Sequence, residues 1–242
     1  MINVIGGKNF TDAELACMPL VKPENVTERW KGVPHFDLVK TLEDRMDAAG
    51  WGFTDRKISV DKTMSDMVGA WNINVPGFQE MPDQQLAIGF QHSNRCKRSL
   101  RILVGSEVKV CTNGMAIGEV VLKKKHTINL DLASEIDEAL ERYVEIAKEI
   151  PIMTQRMKER ELTSAEADHI LMEAGRAGLV GWSTLGDVSE EFLHPTFADN
   201  GTFTSWGLYS AFTHIIKKLN PNRQLELVYD FQKMVPLAEV AA

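Results

Sequence analysis

The chain has 242 residues, 44% of them hydrophobic and 25% charged, with a formal net charge of −7. That is enough apolar material to bury a real core in one domain or two closely packed ones. The negative balance speaks against a nucleic-acid binder that is basic throughout.

Cys17, Cys96 and Cys111 are odd in number and lack paired spacing, which argues for a reducing compartment and against a disulfide framework. Met1 to Phe10 carries no basic leader followed by an apolar run, and no later stretch approaches the ~20 apolar residues of a spanning helix. A cytoplasmic protein without membrane contact is expected.

Pro34, the apolar positions Phe36, Val39, Leu42 and Met46, and Gly50 beyond them predict an amphipathic helix from about His35 to Ala49. Short strands are expected at Lys57 to Val60, Gly69 to Val75 and Gln85 to Phe90, separated by turn formers such as Pro76-Gly77 and Met81-Pro82-Asp83. Next come Gly105-Ser106, which suits a type II′ turn, and Asn113-Gly114, which suits type I′ because both central residues need φ > 0. They predict a meander of Ser99 to Val104, Glu107 to Thr112 and Met115 to Lys123, within one antiparallel sheet of five or six strands. Two-residue loops at both turns would put Glu107 and Lys109 on the face of Leu100, Ile102 and Val104. Either a bulge shifts the register or each face is partly covered and partly open.

After His126 the period changes. Leu132, Ile136, Leu140, Tyr143, Ala147 and Ile150 form a helical stripe, with Pro151 as a bend or restart. Thr163 to Glu166 is a capping box for a helix reaching Gly175 or Gly178. Asn200-Gly201 makes another turn. Trp206, Ala211, Phe212, Ile215 and Leu219 then predict a strongly apolar helix stopped by Asn220-Pro221. The expected architecture is a single α+β domain over residues 1–242, an antiparallel meander sheet (sheet-rich 51–126) packed against C-terminal helices (helix-rich 127–242).

Charge is segregated. His92 to His126 carries eight cations against Glu107 and Glu119, a net of +6 that leaves −13 for the rest. Thr127 to Glu191 holds fifteen acids against six bases. Arg95, Lys97, Arg98 and Arg101 precede or open one strand, and Lys123, Lys124 and Lys125 end another. Flexible cations there suit phosphate contact, although edge lysines also guard a sheet against aggregation. Bracketing one small sheet, the two clusters are expected to converge on one groove, with His126 donating to a phosphate or capping the next helix.

Catalytic signals are weak. His92, Cys96, Cys111 and His126 are metal-competent types, but without the close ligand pairs of structural zinc; no metal or other cofactor is expected. His169, His194 and His214 are scattered, no Ser or Cys sits in a nucleophile elbow, and Gly175, Gly178 and Gly181 read as helix-end punctuation. Trp182, Trp206, Tyr209 and Phe212 lie at helical spacing and are expected in the core. Enzymatic activity is not indicated.

Val110-Cys111-Thr112-Asn113-Gly114-Met115 with Gly118, preceded by Gln91-His92-Ser93 and followed by Lys125-His126, resembles the signature of the phage and plasmid domain-of-unknown-function family 932. Trp206-Gly207-Leu208-Tyr209-Ser210-Ala211-Phe212-Thr213 is similar to that family's later helix motif, with Ser210 where the family has Asn. The likeness spans most of the region from residue 85 to 218, with a looser match in the N-terminal third, in a helix near His35. It implies a setting of DNA metabolism or interference with host defence. A meander followed by a long helix is also similar to the core of single-strand annealing proteins. The expected function is therefore nucleic-acid binding, of single-stranded DNA, by a homo-oligomer. The alternative is an anti-defence or regulatory protein that binds a host protein through its acidic helical face.

Overall fold

The computed structural model describes residues 8–78, 84–95, 98–108, 115–197, 203–219 and 221–236. Its centre is a five-stranded antiparallel sheet of β1 (Gly52–Val60), β2 (Asp66–Asn74), β3 (Gln84–Ser93), β4 (Leu100–Val108) and β5 (Met115–Lys124), in the order β1-β2-β3-β4-β5. Helices α1 (Asp12–Ala16) and α2 (His35–Ala48) precede it. Helices α3 (Leu132–Glu159), α4 (Ser164–Arg176), α5 (Trp182–Leu193), α6 (Ser205–Ile216) and α7 (Pro221–Gln232) follow. This is the α+β meander with C-terminal helices that the periodicities predict.

Inside the meander one expectation is corrected. Gly105 and Ser106 do not turn: they lie within a continuous β4, where Gly105 pairs with Ala87 on one side and Gly118 on the other. Ser106 faces inward and donates to Gln84 Oε1 at 3.0 Å, and Gln84 in turn donates to Thr154 Oγ1 on α3 at 3.1 Å. With a ladder on both sides and a buried partner for its hydroxyl, the dipeptide is satisfied in extended form. A continuous β4 removes the premise that set Glu107 on the face of Leu100, Ile102 and Val104; the register shifts near Ile102 and Gly105 belong to the β4–β5 ladder, and the β3–β4 ladder has none. Asn113-Gly114 lies outside the described residues, within the connection between β4 and β5.

One sheet face carries Met67, Trp71, Ile88, Phe90, Leu100, Ile102 and Val104, all fully or nearly buried. Helices α2 and α3 cover it. The Trp71 indole donates to Glu43 of α2 at 2.9 Å, and Trp51 meets Tyr143 of α3 with ring centres 5.3 Å apart. Cross-strand packing explains Gly69, where an added Cβ would come within 2.3 Å of the Phe90 ring and 2.6 Å of Ile58, its partners on β3 and β1. Gly69→Ala is expected to lower stability by about 1–3 kcal/mol through overpacking, read from urea unfolding. An unchanged midpoint would mean that this face has slack. The opposite face has a smaller cluster of Ala70, Ala87 and Leu103 with Val120, and α7 runs beside β5.

The helical half follows its caps. Thr163 and Glu166 form the expected reciprocal box, with Glu166 N–H donating to Thr163 Oγ1 and Thr163 N–H to Glu166 Oε2. α3 continues through Pro151 as one helix of 28 residues, so the proline is neither a stop nor a restart. α6 ends at Ile216, ahead of the expected stop, of which Asn220 lies outside the described residues and Pro221 is the first residue of α7, where its missing N–H costs nothing. Gly181 caps the start of α5 instead of punctuating the end of α4, and Trp182, expected in the core, opens α5 59% exposed. No helix among the described residues is long and apolar enough to cross a membrane.

Candidate nucleic-acid interface

The expected basic residues do not converge on one groove, and strand register explains why. Leu100 pairs with Lys124, and Arg101 with Lys123. Residues directly opposite share a face, so Lys124 lies on the inward face, where its ammonium meets Glu135 of α3 at 2.7 Å. That hydrogen bond raises its pKa. Arg101 and Lys123 lie on the other face and line a concavity of about 580 Å³ with Arg223, Glu226, Tyr229 and Asp230 of α7. Glu226 is within 3.4–3.6 Å of the guanidiniums of Arg98, Arg101 and Arg223. Arg98 also stands 3.6 Å from Asp66. The backbone amide of Arg95 donates to Ser93 Oγ at 3.3 Å. Lys97, with Cys96 and Cys111, lies outside the described residues.

Arg98, Lys125 and His126 do meet, at the end of the sheet where β4 begins and β5 finishes. They line a cavity of about 430 Å³ together with Arg29 and Trp30. The far wall comes from the loop before α2. Trp30 forms an isolated antiparallel bridge with Thr127, and Ile128 N–H donates to Arg29 O at 2.9 Å. No acidic side chain among the described residues lines the cavity. The Trp30 Nε1–H and both ring nitrogens of His126 are buried without a hydrogen-bond partner. Unpaired buried donors are rare in folded proteins and call for an explanation, and here they accompany three cations.

Behind His126 stand two more histidines. Its ring centre is 4.7 Å from that of His92, which is 5.1 Å from that of His35. His92 extends the inward series of β3, His35 opens α2, and all three are buried. Burial holds each imidazole below the ordinary histidine range, His92 furthest, because charge deprived of water is costly. His92 Nε2 lies 3.1 Å from Val33 O and His35 Nε2 lies 3.0 Å from Met64 O. A carbonyl only accepts, so each Nε2 carries the proton and each Nδ1 is a lone pair. Asn94 braces the same loop, accepting from Val33 N–H and donating to Val33 O. The α3 N-terminus is capped by Asp131, whose carboxylate accepts from Ser134 N–H, so His126 is not its cap. No group of three His, Cys, Asp or Glu side chains among the described residues is placed to hold a metal ion.

Arg29, Trp30 and His35 are absent from the expected site. Arg29 and Trp30 sit in a loop with no periodicity, and a single long-range bridge brings them to Thr127. His35 is visible in the sequence only as a helix opener. No protein-family model matches the chain, and neither does any curated protein or solved structure.

Proposed function

We propose that the protein binds nucleic acid non-enzymatically, as single-stranded DNA, through the cavity at the β4–β5 end of the sheet. What carries the reading is its lining: Arg29, Lys125 and Arg98, the last also ion-paired to Asp66 and Glu226 behind it, and an indole, with no acid among the described lining residues. Strand binders without sequence preference combine backbone-tracking cations with an aromatic surface for bases. The overall charge of −7 is compatible with this because the acids concentrate elsewhere, on the helices after His126. The likeness to phage and plasmid proteins and to annealing cores gives the same direction, with a homo-oligomer in the cytoplasm as its setting. Arg101 and Lys123 are less suited to phosphate, since Glu226 and Asp230 share their concavity.

Anisotropy titrations of a dT oligomer across a salt series test the reading. Each phosphate contact on a single strand contributes about 0.7 to the slope of log K against log salt, so Arg29→Gln with Lys125→Gln should flatten it by about 1.4. Lys124→Gln should leave it unchanged, because that ammonium is committed to Glu135 on the inward face. Equal loss in both variants, or none in either, overturns the assignment and favours a protein partner for the acidic helices.

A further inference from the structure

We propose that His126 is a proton-linked phosphate ligand of this cavity, neutral without ligand and protonated when an anionic phosphate oxygen enters. The inference rests on the cavity being an anion site, as in the functional reading above, but adds what regulates it.

His126 is the one member of the histidine row that lines the cavity, and it is 7% exposed. Neither of its nitrogens has a hydrogen-bond partner, whereas His92 and His35 are anchored to Val33 O and Met64 O. It is therefore a buried polar ring lining the cavity whose two nitrogens no protein group engages. A phosphate oxygen would accept from it in a charge-assisted hydrogen bond, which is about twice as strong as a neutral one.

The charges around the ring set the sign. Arg29, Arg98 and Lys125 share the cavity, and His92 and His35 stand behind. Asp66 and Glu226 offset Arg98, and Asp61 and Asp66 act on His35. Burial and His35 hold the free ring below the ordinary histidine value. An entering anion supplies the opposite charge that favours the imidazolium. Binding must then take up a proton, and linkage makes affinity rise as pH falls between the free and the bound pKa.

An unphosphorylated dT oligomer is a suitable probe, because its diesters do not titrate near neutrality. At constant ionic strength between pH 8 and 6, affinity should rise by up to about tenfold per unit, the limit for one linked proton. His126→Gln should remove the pH dependence, His126→Arg should bind tightly and without pH dependence, and His92→Gln should keep the slope. A slope that survives in His126→Gln, or no slope in the wild-type chain, overturns the proposal. Sulfate, a dianion that does not titrate in this range, separates the two readings and needs no variant. It should move the midpoint of the His126 ring resonance upward in NMR spectra of the wild-type chain. If sulfate moves the midpoint and dT does not bind, the anion site stands and the nucleic-acid reading falls. If sulfate leaves the midpoint unmoved, the proton linkage falls even if dT binds.

Discussion

Acidification from pH 7.5 to 5.5 is expected to remove more stability than most single substitutions would. His35, His92 and His126 are buried, and their pKa values in the folded chain are depressed. The unfolded chain, with imidazoles near 6.5, therefore binds more protons than the folded one below that pH. Stability is complete above the unfolded value and declines as pH falls through and beneath it. Each linked proton is worth about 1.4 kcal/mol per pH unit, so three histidines can approach about 4 kcal/mol per unit. His214, also depressed by partial burial, adds in the same direction.

Carboxylates act lower on the scale. Glu14 and Glu166 are held at about 2, by hydrogen bonds from Lys8 and Thr11 and from Thr163 and Arg160, and Asp61 is also lowered. What they contribute is present above their unfolded values and lost only below about pH 4.5. Glu43, raised by burial, works the other way and gains stability as pH falls toward its folded value, so between 6.5 and 5 three depressed histidines act against one raised carboxylate. Urea titrations at half-unit steps should show a falling midpoint there, with a shallower fall in His92→Gln. Constant stability down to pH 5 would mean that the row is open to water.

The histidine row also shows what was legible in the chain and what was not. His92 and His126 stand out in the sequence as polar rings beside a meander, yet nothing local shows that they touch. Their contact depends on the pairing of β3, β4 and β5 and on the loop before α2, none of which a local pattern encodes. The sheet itself was legible because alternation and turn residues are local. Gly105-Ser106 departs from its turn chemistry because ladders on both sides hold it extended, and no local pattern encodes them. α5 and α7 were missed for a related reason: Gly181 and Pro221 mark helix starts as readily as ends, and only packing decides which. The charge count found a basic segment but not its division, because a one-residue step along β5 sends Lys123 and Lys124 to opposite faces.

The aromatic helix was legible for a stronger reason, and Phe212→Ala should expose it. α6 is buried on all sides: Trp206, Leu208, Tyr209, Ala211, Phe212 and Ile216 are each at most 3% exposed, and the main neighbours of the helix are α3, α5 and α7. Thr213 donates to Ser210 O at 3.0 Å, as expected of a hydroxyl in such a place, whereas the Tyr209 hydroxyl has no partner. The Phe212 ring stacks on Phe231 of α7 with centres 3.8 Å apart and planes within 9°. Truncating a ring so enclosed leaves a cavity that rigid neighbours cannot fill, and a loss of about 3–5 kcal/mol is expected. Because Phe231 occupies the other side of that contact, Phe231→Ala should cost a similar amount, and the double variant less than the sum of the two. Hydrogen exchange should locate the damage in α7, whose amides would lose protection before those of β2 and β3. α7 carries Glu226, so its release would free Arg101 from that acid and leave Arg98 with Asp66 alone; if the proposed nucleic-acid reading holds, the salt dependence of dT binding should steepen in the same variant. A Phe212→Ala protein within about 1 kcal/mol of the wild type would show that α6 and α7 are not locked through this stack.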